Sequence, residues 1–161
     1  MRVPMFKQSL VVTLVVILAL LQLGVAHMYA KPHTSSSRIM SAVRKVQQAK
    51  TKTDALAEAE SLNKLVRELG TSDVDDRTLH SIASLLDIPN DGVRYWVAWS
   101  LGLFGARAKF AVPKLLEILK VADCYVADVS SSMTIRPALE RIGVTPPAWK
   151  CEKYILVERT P

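Results

Sequence analysis

The sequence predicts an all-α protein, a short α-solenoid of about three antiparallel helical hairpins. Apolar residues recur with helical spacing in segment after segment, which is typical of amphipathic helices. An apolar residue followed by glycine ends three of these segments, at Leu69-Gly70, Phe104-Gly105 and Ile142-Gly143. These stops lie 35 and 38 residues apart. That period is typical of stacked helical hairpins, which bury a continuous core only when several copies pack together.

Six helices are expected after the N-terminal region. The predicted ranges are Ser36–Lys50, Asp54–Leu69, Asp76–Leu86, Gly92–Phe104, Ala108–Lys120 and Ser131–Ile142. Asp91 is expected to cap the fourth helix, because its carboxylate can accept from free amides of the first turn. Pro137 lies inside the sixth, and it should either kink that helix or confine its regular part to residues 137–142.

The stretch from Asp91 to Lys120 is expected to form the central hairpin, with a tight turn at Gly105. Ala98 and Gly102 are small enough to let another backbone approach closely. Pro113 has no amide to donate, so the second helix should begin near Val112 after a lead-in turn. The core stripe of the first helix, widened by Trp96 and Leu103, is expected to be Val93, Val97, Leu101 and Phe104.

This stretch resembles the HEAT repeat family. The resemblance rests on Asp91-Gly-Val-Arg94, Ala98-x-x-Leu101, the Phe104-Gly105 stop and Ala111-Val-Pro-Lys-Leu-Leu116. It implies pairs of antiparallel helices stacked as a solenoid, with the Val-Arg helix lining a concave surface. Family members usually carry an aspartate before that arginine, and Asp87 and Asp91 both qualify. The last copy departs from the pattern, since Ser132 occupies the position where the repeat would place an arginine equivalent to Arg94.

The N-terminus has the pattern of a secretory signal peptide over residues 1–26. Arg2 and Lys7 are basic, Leu10 to Leu23 is almost wholly apolar, and small residues follow. An uncleaved signal anchor is the alternative, because the apolar run is near the lower length limit for a membrane span. We expect a flexible linker at 27–37, a HEAT-like domain at 38–143 and a tail at 144–161 packed on the last repeat. The expected location is periplasmic or secreted, or else membrane-anchored with an exported domain.

The two cysteines, Cys124 and Cys151, predict one disulfide if the chain is exported. Such a bond would hold the apolar C-terminal tail over the open end of the repeats. The alternative is a pair of free thiols. A short strand at Tyr154 to Val157 is compatible with the tail composition but has no evident partner.

Composition and motifs favour a binding protein over an enzyme. The formal charge of +6 is scattered among acidic residues, without the basic stripe and stacking aromatics that nucleic-acid binding requires. No metal-binding motif, phosphate-binding loop or nucleophile elbow is present, so no cofactor, metal or catalytic residue is predicted. The acidic cluster Asp73, Asp75 and Asp76 and the serines Ser130 to Ser132 are expected to cap helices.

Arg94, Tyr95 and Trp99 are the candidate binding residues. Tyr, Trp and Arg are enriched at interface anchors, and Tyr95 and Trp99 fall to the side of the core stripe. Alternatively, both rings pack against the adjacent repeat. The expected function is an exported protein–protein interaction scaffold or adaptor with an unidentified protein partner. A periplasmic inhibitor or immunity-type protein and a membrane-anchored assembly factor are the alternatives.

Overall fold

A computed structural model of the chain describes residues 34–122 and 130–148, together with the strand backbone at 125–126 and 155–156. This part of the chain is helical, which confirms the all-α prediction. The α-helices are α1 (Ser35–Gln48), α2 (Lys52–Leu69), α3 (Asp76–Ser84), α4 (Asp91–Leu103), α5 (Val112–Ala122) and α6 (Ser132–Ile142). Two 3-10 helices, Leu85–Asp87 and Gly105–Ala111, and two strands, β1 (Tyr125–Val126) and β2 (Ile155–Leu156), complete the described elements.

Three of the helices form one layer in the order α2, α4, α6. α4 packs on both α2 and α6. On the other side of the core, α1 packs on α2 and α3, α3 packs on α4, and α5 packs on α6. The buried side chains between these helices form one continuous apolar core. Each helix therefore buries one face against its neighbours and leaves another to solvent.

Several long-range hydrogen bonds between separate elements join residues that are about one repeat period apart. The Asn90 side-chain amide donates to the Lys52 carbonyl at 3.0 Å, across 38 residues. The Thr134 hydroxyl donates to the Tyr95 carbonyl at 2.8 Å, across 39 residues. The period that the sequence shows in its glycine stops thus recurs in the contacts between neighbouring helices.

The three glycine stops share a positive φ angle. Gly70, Gly105 and Gly143 have φ angles of 72°, 56° and 94°. An L side chain rarely adopts this left-handed region, whereas glycine enters it without steric penalty. Gly70 and Gly143 directly follow the last residues of α2 and α6, and Gly105 comes two residues after the last residue of α4, so each helix of the layer ends close to a glycine.

The predicted central hairpin is wrong in its pairing. α4 packs chiefly on α6 and α2, and α5 packs on α6. The connection is the 3-10 helix Gly105–Ala111 rather than a tight turn, because Pro113 delays the start of α5 to Val112. The predicted close approach at Gly102 is present, but the neighbour is α6: a Cβ added there would lie 3.1 Å from the Ala138 Cα.

The cap of α4 also differs from the prediction. The side-chain oxygen of Asn90 accepts from the Val93 backbone amide at 3.3 Å, so Asn90 and not Asp91 is the N-cap. The Asp91 carboxylate instead accepts from the backbone amide and the hydroxyl of Ser131, at the start of α6. The helix begins one residue earlier than expected, which turns Asp91 toward the next helix in its layer.

Asp75 caps α3, in line with the role expected for its acidic cluster. Its carboxylate accepts from the Thr78 amide at 2.7 Å. This bond, helped by the Ser36 side chain, holds the pKa of the Asp75 carboxyl below its usual value. Thr34 and Thr51 cap α1 and α2 in the same way. α1 therefore begins at Ser35, inside the stretch where the sequence suggests a linker.

α6 is a continuous helix on both sides of Pro137, so its regular part is not confined to residues 137–142. Proline removes only one amide from the helix, and the carbonyl that loses its bond is that of Met133. Both side chains lie on the exposed side of α6, where water can solvate this carbonyl. The helix tolerates the proline because the missing bond is not in the core.

The tail returns to the last helices. The Arg136 guanidinium donates to the Pro147 carbonyl at 2.8 Å, and the Val144 amide donates to the Leu139 carbonyl at 2.8 Å. β2 pairs in parallel with β1, with Tyr125 opposite Ile155 and Val126 opposite Leu156. The strand expected without a partner therefore has one, in the connection between α5 and α6.

The cysteines Cys124 and Cys151 and the whole N-terminal region through His33 lie outside the described residues. The predicted disulfide, signal peptide and cleavage point fall on those parts. Among the helices of the described part, none has the length and apolar character needed to cross a membrane.

Candidate functional site

α4 presents three aromatic side chains that touch one another at the protein surface. We call Tyr95, Trp96 and Trp99 the aromatic cluster. The Trp96 and Trp99 rings are stacked with centroids 5.8 Å apart, and Tyr95 meets them edge-on at 5.0 Å and 6.0 Å. All three residues are half-buried. Each ring thus rests partly on its neighbours and keeps a face toward solvent.

The sequence of α4 leaves no other place for these rings. Its core stripe is filled by Val93, Val97 and Leu101, which are fully buried. The sides toward α2 and α6 carry only small residues, Ala98, Ser100 and Gly102, and these are also buried. Neighbouring helices approach too closely there for a large ring. Trp96, expected in the core stripe, therefore only packs against the edge of the core and stacks on Trp99.

A cavity of about 170 Å³ opens beside the aromatic cluster, between α4 and α6. Its apolar wall combines two rings of α4 with side chains of α6, among them Met133, which is 57% exposed. Arg141 supplies the charge, and its aliphatic part lies over Gly102. The lining residues are Tyr95, Trp99, Met133, Thr134, Pro137 and Arg141.

The position of α6 relative to the aromatic cluster is fixed by hydrogen bonds that involve side chains. The buried Thr134 hydroxyl donates to the carbonyl of Tyr95 at 2.8 Å. At the N-terminal end of the same two helices, Ser131 donates twice to Asp91. These bonds hold the wall of the cavity in place, since they connect α6 and its N-cap residue Ser131 to α4.

Three of the four polar side chains that line the cavity, all except Thr134, are unpaired within the described residues. Neither the Tyr95 hydroxyl, the indole N–H of Trp99 nor the Arg141 guanidinium has a hydrogen-bond or ion-pair partner there. An indole N–H and a guanidinium can only donate. The site therefore offers an apolar surface with free donors at its rim.

The structure does not bring Arg94 to this cavity. Its Nε donates to the Leu86 carbonyl at 3.1 Å, so Arg94 secures the 3-10 helix that precedes α4. Of the two aspartates considered for it, Asp87 pairs with Lys114 at 3.1 Å and Asp91 bonds to Ser131. Arg141 is the arginine that lines the cavity.

Sequence reasoning missed Met133, Pro137 and Arg141, although a signal for them exists. Met133 and Pro137 stand 38 residues after Tyr95 and Trp99, the same offset that separates Gly105 from Gly143. Alignment of the repeats on their glycine stops would have placed these α6 residues beside the rings. The signal therefore comes from aligning the repeats of this chain with one another, and not from a sequence motif.

Other chemistry finds little support in the described residues. No group of three or more His, Cys, Asp or Glu side chains in that part of the chain is arranged to hold a metal ion. Ser130, Ser131 and Ser132 are buried, and the bonds of Ser130 and Ser131 go to the Ala122 carbonyl and Asp91. These serines connect helices.

Comparisons with family models, with curated proteins and with solved structures return no significant match to this chain.

Proposed function

We propose that this chain is an exported HEAT-like repeat protein that binds another protein and acts as a scaffold or adaptor. The binding surface is the outer face of the α2, α4, α6 layer, with Tyr95 and Trp99 as anchors. The observation that supports this function is the half-buried aromatic cluster beside an apolar cavity, lined by an arginine that has no ion-pair partner among the described residues. Tyr, Trp and Arg at the centre of a surface are the residues that most often dominate binding energy.

The burial of the rings favours this role over a purely structural one. A fully buried tryptophan is worth about 3–5 kcal/mol of stability against alanine. Trp99 keeps part of its surface exposed, so its truncation should cost less stability than that. The remaining exposed ring surface gains free energy only when a partner covers it.

The packing of the helices supports the HEAT-like architecture. α1–α2, α3–α4 and α5–α6 are three successive pairs, and α2, α4 and α6 lie side by side. In the family that the sequence resembles, this layer lines the concave surface. The aromatic cluster lies on the middle helix of the layer, so a partner seated there would also meet α2 and α6.

Export is part of the proposal. The basic, apolar and small-residue order of the N-terminus supports cleavage near His27. Mass spectrometry of the natural N-terminus should find a mature chain that starts there. Recovery of the uncleaved chain in the membrane fraction would instead support a membrane-anchored assembly factor.

A disulfide between Cys124 and Cys151 belongs to the same proposal. Cys124 directly precedes β1 and Cys151 comes four residues before β2 in the sequence, and these two strands pair. Peptide mapping without reductant should show one linked pair, and replacement of both cysteines by serine should cost about 2–4 kcal/mol. Two freely alkylated thiols in the native protein would contradict this pairing.

The binding function can be tested by affinity capture from the native cell envelope with wild type, Trp99→Ala and Phe110→Ala. Phe110 is a matched control because it is a 40% exposed ring that stacks on His80 of α3, outside the α2, α4, α6 layer. Trp99→Ala should lose the captured partner while Phe110→Ala keeps it, and thermal melting should show both variants folded. Equal capture by all three proteins would rule out the aromatic cluster as the binding site.

A further inference from the structure

The cavity beside the aromatic cluster is too small for a typical small-molecule ligand. Such sites usually measure about 300–1,000 Å³, against about 170 Å³ here. A space of this size suits one side chain of a larger partner. The rest of that partner must then lie along the open surface of α4 and α6.

The free polar groups at the cavity define the hydrogen-bonding character of that partner. The Trp99 indole and the Arg141 guanidinium donate only, and the Tyr95 hydroxyl can donate as well. A complementary segment is therefore rich in acceptors and poor in donors. A proline-containing chain has this character, since each proline keeps its carbonyl and has no N–H.

The positive charge at the cavity excludes some classes of partner. Aromatic clusters also bind quaternary ammonium groups, but Arg141 lines this cavity and would repel a cation. No carboxylate within the described residues pairs with Arg141. A carboxylate on the partner would form a charge-assisted hydrogen bond with it.

We propose that the occupant is an extended, proline-containing peptide segment with an acidic residue next to its prolines. This inference rests on the proposed function and adds the chemistry of the partner. A proline ring enters the cavity between Trp99, Met133 and Pro137. The segment is extended because prolines preorganise a polyproline II helix, which lowers the entropy cost of docking on aromatic grooves. The adjacent carboxylate reaches Arg141.

The test uses the exported protein with its natural N-terminus, together with two synthetic peptides as probes. The first probe is an acetylated, amidated peptide of six prolines followed by two aspartates, and the second replaces the aspartates with lysines. Intrinsic tryptophan fluorescence and isothermal titration calorimetry report binding. The aspartate peptide should bind at least tenfold more tightly than the lysine peptide, because only the former can pair with Arg141.

Two variants locate the binding. Arg141→Ala should weaken the aspartate peptide about tenfold and leave the lysine peptide unchanged or slightly tighter. Arg67→Ala removes an exposed arginine of α2 that does not line the cavity, and it should change neither affinity. Trp99→Ala should abolish binding of both peptides, with circular dichroism to verify its fold.

The outcomes separate this inference from the proposed function. If capture from the envelope depends on Trp99 but neither peptide binds, the chemistry assigned to the partner is overturned and the binding function stands. Equal binding of the two peptides overturns the role of Arg141. Self-association of the protein in sedimentation velocity that Trp99→Ala abolishes would assign the surface to a second copy, and would overturn the peptide proposal.

Discussion

The two sides of α4 meet their neighbours in different ways. Toward α2, a buried polar pair joins the helices: the Asn63 side-chain amide donates to the Ser100 hydroxyl at 3.1 Å. Toward α6, α4 carries Gly102 at the contact. Any side chain there would be too close to α6, because a Cβ on Gly102 would lie 3.2 Å from the Ala138 Cβ. Hydrogen bonds cross both interfaces, since Thr134 and Ser131 also donate to α4, but the interface with α6 in addition requires a position without a side chain.

This difference has an energetic side. The Asn63 side-chain oxygen is buried without a hydrogen-bond partner among the described residues. A buried polar pair of this kind fixes the relative position of two helices, often at some cost in stability. The contact at Gly102 fixes the distance between helices with apolar atoms alone. We infer that a buried polar pair positions α2 against α4, whereas close packing at Gly102 adds to the hydrogen bonds that position α6.

The largest expected effect comes from filling the contact between α4 and α6. Gly102→Leu should lower the free energy of unfolding by about 3 kcal/mol, because the new side chain must push the α6 backbone away. Urea denaturation followed by circular dichroism measures it. Gly92→Ala is the control, since its Cβ would meet the flexible end of the 37% exposed Leu56, which can move aside, and the Asn90 side-chain oxygen at an ordinary contact distance of 3.5 Å. It should change stability by less than about 0.5 kcal/mol, and an equal loss in both variants would refute the role assigned to Gly102.

A smaller effect is expected at the polar pair between α2 and α4. Ser100→Ala leaves the Asn63 amide group with no partner on either side, which should cost about 1–3 kcal/mol. Asn63→Leu combined with Ser100→Ala removes both polar groups and should restore the stability of the wild type or exceed it. Denaturant titration of the single and double variants gives the comparison. A double variant less stable than the wild type would show that the pair is a net stabiliser.

The smallest effect is expected at the cap of α3, which lies away from both the polar pair at Ser100 and the close contact at Gly102. The Thr78 amide holds the pKa of the Asp75 carboxyl below its usual value. A lowered pKa in the folded state gives stability that is present above the unfolded value of about 3.9 and is lost as pH falls through the folded value. Asp75→Asn should therefore flatten the loss of stability below about pH 4. Asp54→Asn, in the exposed first turn of α2, is the matched control, and equal acid profiles of wild type and Asp75→Asn would contradict the assignment.

Local features of this fold could be read from the sequence. The glycine stops at Gly70, Gly105 and Gly143 and the delayed start of α5 follow from backbone rules that act within a few residues. The partner of Gly102 and the hydrogen bond between Asn63 and Ser100 could not be read, because they depend on which helices become neighbours. For the same reason Asp91 was assigned to its own helix although its carboxylate bonds to Ser131.

The candidate site shows the same division. Tyr95 and Trp99 lie on the surface of α4 for a local reason, since the core stripe is already filled. Arg94 was grouped with them by closeness in sequence, yet its guanidinium secures the preceding 3-10 helix. The arginine at the cavity is Arg141, which belongs to α6. In the sequence, the only signal for this part of α6 is the 38-residue offset that relates Met133 and Pro137 to Tyr95 and Trp99.

The spacing of the hydrogen bonds between distant elements has a consequence for how the chain folds. Among the described residues these bonds span 31 to 40 positions, from Asp76–Arg107 to Asp91–Ser131. The contact order is therefore set by the repeat and not by the length of the chain, which favours fast folding. During synthesis, each helix of the layer can find its neighbour as soon as the next 40 or so residues have left the ribosome.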